Sequence, residues 1–284
     1  MFLIIGYVVI LAASLGTYAI HGSLAALWVP TEYVAIIGLT IGGFVAGNGI
    51  KSIKATVGAL PSIFKGSPYN KAFYIDLLAM LYEILSKVRK EGLMSIENDV
   101  ENPESSAIFS KYPAFMADHH AVDFLTDYLR MMVGGNLNAF EIENLMDAEM
   151  ETHHQEAHAP AHIVSKVADS TPAFGIVVAV MGVVNVMGSV GQPPAVLGKM
   201  IGGALVGTFL GILISYGFIA PIAGQLEQRV EEGGKIYQCM KVVLLASMNG
   251  YAPQVAIEFG RKVLNSTERP TFQELEEDVK SRKG

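Results

Sequence analysis

Two prolines and one threonine are the residues of this sequence best placed to act on an ion, because the apolar runs around them offer little else. Pro172, Thr208 and Pro221 lie in stretches at 172–198 and 200–226, and two further stretches occupy 2–20 and 33–50. None of the four contains Asp, Glu, His, Lys or Arg. At ~1.5 Å per helical residue each is long enough, or nearly so, to cross a bilayer. An ionisable side chain inside a membrane usually marks a proton or ion path. A chain without one is either a passive anchor or one wall of a path whose titrating group comes from another protein. The Thr208 hydroxyl has two possible uses: facing water or an ion, or bonding its own preceding turn. Pro172 and Pro221 fall at the same membrane face of successive spans, where a proline ends a helix or lets it hinge.

The seven histidines are the other group that suggests chemistry. His154 and His158 are four apart, with His153 and His162 close by. The order His-Gln-Glu-Ala-His, however, displaces the glutamate from its place in the metalloprotease pattern His-Glu-x-x-His. The segment therefore reads as a solvated linker, as does His119-His120, and no metal site is expected. No nucleophile elbow, phosphate loop or dinucleotide fingerprint is present, so neither catalysis nor a cofactor is expected. The single cysteine, Cys239, excludes an internal disulfide and reads as a small buried thiol.

The elements that would position these residues follow from composition and charge. The chain has 284 residues, is 51% hydrophobic and only 17% charged, with a mean hydropathy of +0.39. That is too apolar for an ordinary soluble domain. A net charge of −7 argues against nucleic acid as a partner. The first span is expected to be retained as a membrane helix, since it lacks a basic leader and outruns a signal-peptide core. Ten Lys and Arg fall between Lys51 and Lys166 and nine between Arg229 and Lys283. The connection at 21–32 has none, and that between spans three and four has only Lys199. The positive-inside rule then makes the insert, the tail and both termini cytoplasmic. The expectation is an all-α integral membrane protein. Residues 1–50 form spans one and two, 51–170 a cytoplasmic helical insert, 171–226 spans three and four, and 227–284 a cytoplasmic helical tail.

Within the insert, Ser67-Pro68 suggests a helix start. The run Tyr69–Lys90 repeats Phe73, Leu77, Met80, Leu81, Ile84, Leu85 and Val88 at helical spacing. Asn138 with Glu141, and Thr271 with Glu274, have the shape of capping boxes. In the spans, Gly38, Gly42, Gly43 and Gly47 on one, and Gly203, Gly207 and Gly211 on another, repeat at intervals of four. Small residues at that spacing let helix backbones approach closely, within one chain or between copies.

Blocks in a fixed order carry a resemblance. They are Lys87-Val-Arg89-Lys-Glu-Gly92 through Glu97-Asn-Asp-Val-Glu-Asn-Pro103, and Ala168-Asp-Ser-Thr-Pro172-Ala-Phe-Gly175. Gly207-Thr208-Phe-Leu-Gly211, Asn249-Gly-Tyr-Ala-Pro253 and Glu258-Phe-Gly-Arg261-Lys follow. Over nearly its whole length the chain resembles the MotA family of flagellar-motor stator subunits, in the MotA/TolQ/ExbB proton-channel superfamily. The resemblance implies a bacterial inner-membrane protein that forms a ring of about five copies around two spans of a MotB-like partner. That partner is anchored in the cell wall and supplies the membrane carboxylate. Transported protons would then drive torque on a rotor switch-complex protein. By matching positions, Arg89 and Glu97 would meet rotor charges. Pro172 and Pro221 would couple ion binding to motion, and Thr208 would line the ion path. Ala179 stands where sodium-driven relatives carry threonine, which implies a proton. The rival readings are a sodium-driven stator, an ExbB- or TolQ-like energiser of outer-membrane processes, a membrane metal hydrolase and a passive scaffold.

Overall fold

A computed structural model describes residues 2–135 and 138–282, and among them there are helices and turns but no strand. Two compact units are formed, Met1–Lys65 with Ala157–Gln228, and Gly66–Glu156 with Arg229–Gly284. Residues 51–65 and 157–170 pack in the same unit as the apolar helices.

In the first unit, α1 (Phe2–His21) and α2 (Pro30–Ala46) come first, followed by α3 (Ile50–Ala59). Leu3 is the buried residue of α1, Tyr7, Ile10 and Leu15 are half-buried, and most of its other large apolar residues are exposed. Such a surface suits lipid or another apolar helix rather than water. With 17 residues α2 spans about 26 Å, slightly short of a ~30 Å hydrocarbon core. Three longer helical runs, Phe2–His21, Ala139–Met187 and Pro194–Met248, are long and apolar enough to cross a membrane.

The helix carrying the third apolar stretch, α8, runs unbroken from Ala139 to Met187 through Pro160 and Pro172. The sequence suggests a helix capped at Asn138, a histidine linker and a span beginning at 172; the region is one helix of 49 residues. Proline removes one helical hydrogen bond but does not end a helix whose flanking turns are otherwise supported. Reciprocal bonds between Asn138 and Glu141, at 2.9 and 3.0 Å, cap its start as expected. The stretch 172–198 is not one span: a turn at 188–193 separates α8 from α9 (Pro194–Ile212). Lys199, expected in that connection, lies within α9. A π-helical turn, Leu213–Ile219, joins α9 to α10 (Ala220–Met248).

The second unit packs around α4 (Lys71–Glu91). Its helical start is not Ser67-Pro68 but Asn70, whose side chain accepts a 3.0 Å bond from the Phe73 N–H. Leu77, Leu78, Met80, Leu81 and Leu85 of α4 are almost completely buried. They pack in one core with Leu125 and Tyr128 of α7 (His119–Gly134), after the short α5 (Glu97–Glu101) and α6 (Pro113–Met116). Ile236, Met240 and Val243 of α10, Ile257 of α11 (Pro253–Val263) and Leu275 of α12 (Phe272–Ser281) complete it. Burying each such side chain contributes about 1.5–3 kcal/mol. Cys239 is fully buried there, and burial pushes its thiol pKa well up, so it is an inert core residue. The Thr271–Glu274 capping box opens α12 as expected. Lys71, followed by the Thr271 backbone, holds the Glu274 carboxyl down to about 2.

Candidate functional site

In the apolar unit the central feature is a contact of backbone on backbone between α8 and α9. A methyl group built on Gly175 would lie 2.8 Å from the Gly207 carbonyl oxygen and 2.9 Å from the Gly211 Cα. One built on Gly182 would lie 2.6 Å from the Ala204 Cβ. No side chain larger than hydrogen fits at Gly175. Of the seven glycines marked by sequence, Gly207 and Gly211 form this crossing and Gly43 packs on the Phe174 ring. Gly38, Gly42 and Gly203 face open space within the chain, and Gly47 has near it only the carbonyl of Gly43. Gly175 and Gly182 were missed as packing residues because neither has a glycine four places away.

The crossing also fixes Ala179 and Thr208. The Ala179 backbone nitrogen stands 3.3 Å from where a methyl on Gly207 would be, so Ala179 lies at the level of Gly207, the residue that precedes Thr208. Ala179 and Thr208 are both half-buried. Nearby is a carboxylate that the apolar run, counted from residue 33, left out. Glu32 belongs to the first turn of α2. Its Oε2 is buried without a hydrogen-bond partner among the described residues and would stand 3.1 Å from a Gly207 methyl. It lines a cavity of 1470 Å³ with Gly182, Asn185, Ala204 and Phe209. Glu32 thus places an acidic side chain at the start of α2, beside the crossing. Pro172 lies inside α8, whereas Pro221 is the second residue of α10, directly after the π-helical turn.

In the other unit, Arg89 and Glu97 sit on either side of a reversal. Gly92, with φ +88°, ends α4 in a conformation that residues with a side chain avoid. A 3₁₀ turn, Leu93–Ile96, then leads into Glu97 at the start of α5. Arg89, Leu93, Met94 and Glu97 are all exposed, and neither charge makes an ion pair among the described residues. What holds the reversal is Asp99, only 8% exposed. It accepts bonds from Lys87 Nζ at 2.8 Å and Ser106 Oγ at 2.6 Å, and Ser106 Oγ in turn accepts the Ile108 and Phe109 N–H groups. Arg89 and Glu97 are thus free ends on a clamped turn. Asp99 stood in a run of acidic residues with nothing in the sequence to mark it as the buried one.

His153 corrects the reading of its segment as a solvated linker. It is half-buried on α8, with Nε2 3.2 Å from the Tyr237 hydroxyl and its ring 6.1 Å from that of His120. Burial lowers its pKa, and His120 lowers it further against the opposing pull of Asp118, Glu156 and Glu149. Two of those carboxylates are engaged, Asp118 by the Tyr69 hydroxyl and Glu149 by that of Tyr128, each at 2.7 Å.

Comparison with known proteins supplies the context for both sites. Residues 4–92 match the motility protein A N-terminal family, and residues 117–238 match the MotA/TolQ/ExbB proton channel family. Motility protein A of Escherichia coli (strain K12) is 53% identical over 282 residues, covering 99% of this chain and 96% of that protein. The chain belongs to the motility protein A family. Chemotaxis protein LafT of Vibrio parahaemolyticus is 32% identical over 99% of both chains. Among solved structures, the flagellar MotAB stator complex of Bacillus subtilis matches with a TM-score of 0.71 and 28% identity, covering 90% of this chain and 92% of that one. Campylobacter jejuni MotAB shares the fold, with a TM-score of 0.76 at 20% identity over 95% of this chain and 98% of that one. Set in this family, the α8–α9 crossing lies within the proton-channel match, and the Arg89–Gly92 end of α4 closes the N-terminal match.

Proposed function

We propose that this chain is a stator subunit of a bacterial flagellar motor. With a MotB-like partner it forms a transmembrane proton channel that converts ion flow into torque. The observation that carries the reading is the end-to-end 53% identity to Motility protein A. In this reading the protein sits in the inner membrane with four spans and both termini in the cytoplasm, as the placement of Lys51, Lys54, Lys166 and Arg229 favours. The insert and tail face the rotor.

The chemistry follows from what the chain lacks and holds. The wall that Ala179 and Thr208 offer has a methyl and a hydroxyl, neither of which titrates, and the carboxylate beside the crossing, Glu32, belongs to the first turn of α2 rather than to that wall. The proton would therefore reside on the membrane carboxylate of the cell-wall-anchored partner. A methyl at Ala179 cannot replace a ligand of the sodium hydration shell, which favours H⁺ over Na⁺. A ring of about five copies would present that wall repeatedly around two partner spans. Gly38, Gly42 and Gly203, open within one chain, are suited to contacts between copies. Loading and unloading of the carboxylate would be felt at Pro172 and Pro221. Arg89 and Glu97 would then push on charges of the rotor's switch complex. Exposed ion pairs of ~0–1 kcal/mol suit a contact made and broken at every step.

The test is rotation of stator-less cells expressing this chain with its MotB-like partner, in sodium-free and in sodium-containing buffer. Rotation without sodium is expected. Rotation only with sodium would keep the stator and overturn the role of Ala179. No rotation in either buffer, with both proteins in the membrane, would favour an ExbB- or TolQ-like energiser.

A further inference from the structure

We infer that Ser215 is a positioning residue that ties the proline of span three to the π-helical turn before the proline of span four. Pro172 has no N–H, so the carbonyl four residues earlier, that of Ala168, loses its ordinary helical donor. The hydroxyls beside it are spent elsewhere: Ser170 and Thr171 both donate to the Val167 carbonyl, at 3.1 and 2.6 Å. The Ala168 carbonyl instead receives the Ser215 hydroxyl at 2.6 Å, across 47 residues of sequence. Ser215 is completely buried and Ala168 is 2% exposed.

Ser215 lies in the turn Leu213–Ile219, where the Ala220 N–H reaches back five residues to the Ser215 carbonyl rather than four. That wider register relieves Pro221, whose ring would otherwise press on the carbonyl four residues before it. The same turn is held from α1, where the Tyr7 hydroxyl donates to the Phe218 carbonyl at 2.8 Å. One hydroxyl therefore satisfies the defect made by one proline from within the distortion that accommodates the other. A hydrogen bond between two such sites, where helices bend most readily, makes a bend at one change the other.

The test uses the complex purified with its partner, and cells in which the two proteins drive a motor. Ser215→Ala leaves the Ala168 carbonyl bare in the presence of Pro172. In a Pro172→Ala background the residue-172 N–H restores the helical donor, and the hydroxyl becomes dispensable. Ser215→Ala is therefore expected to lower the melting temperature by about 2–4 °C in the Pro172 protein. In the Pro172→Ala protein it should change little. This arm does not depend on the motor reading. The second arm does: Ser215→Ala should slow low-load rotation per stator by about 2- to 10-fold, the range one hydrogen bond spans when it is made in only one state. Equal melting losses in both backgrounds would overturn the link between Ser215 and Pro172. A melting loss with unchanged speed would overturn the positioning role. If Ser215→Ala alone fails to reach the membrane, it must still assemble in the Pro172→Ala background; failure there would also overturn the inference.

Discussion

Replacing Gly175 with alanine strikes the α8–α9 crossing where backbone meets backbone. The added Cβ would stand 2.8 Å from the Gly207 carbonyl oxygen and 2.9 Å from the Gly211 Cα, against 3.4 Å or more for ordinary contact. Both obstacles are backbone, so no side chain can rotate away and the helices must separate by about 0.6 Å at that level. A gap of that size forfeits roughly a quarter of the dispersion well for each pair of atoms that had been in contact. Between helices in lipid this packing is a main source of adhesion, because apolar surface gains nothing by leaving apolar surroundings. Overpacking of this kind costs about 1–3 kcal/mol. At ~2–4 °C per kcal/mol the complex should melt about 2–12 °C lower. The assay is thermal unfolding of the detergent-purified complex, with Gly202→Ala as control, since a methyl at Gly202 meets nothing within 4 Å in the chain. If Gly175→Ala melted together with Gly202→Ala, the backbone contact would not be what holds α8 to α9.

Two further changes probe the other unit. Asp99→Ala removes the acceptor for Lys87 and Ser106. It should cost about 1.5–3 kcal/mol and reduce torque without touching Arg89 or Glu97; unaltered torque at normal stator number would show that the reversal needs no clamp. For His153 the folded pKa lies below its ordinary value of 6.5, so the neutral form is the one the fold prefers. That stability is whole above about 6.5 and declines as pH falls through that value toward the folded pKa. His153→Phe should therefore lose less stability than the wild type between about pH 7.5 and 5.5; parallel loss in the two proteins would mean that His153 is not the group being charged.

What could be read from the sequence, and what could not, divides along the distance between interacting groups. The capping boxes at Asn138 and Thr271 were legible because donor and acceptor are three residues apart, and local geometry alone decides them. The burial of the α4 stripe was legible for a similar reason: its period of 3.6 is written in one helix. The continuity of α8 was not, because a proline reads as a stop until its freed carbonyl is seen to find a donor 47 residues away at Ser215. Gly175 looked like any membrane glycine, since what forbids a side chain there is the backbone of Gly207 and Gly211. Asp99 looked like its acidic neighbours until Lys87 and Ser106 converged on it. The mechanism is most exposed at these illegible places. A stator must move, and the groups that resist or permit movement are those whose partners lie on another helix. A sequence change confined to the glycine repeats of single helices, such as Gly38 or Gly203, should therefore disturb assembly between copies. A change at Gly175, Ser215 or Asp99 should disturb the working parts of each copy.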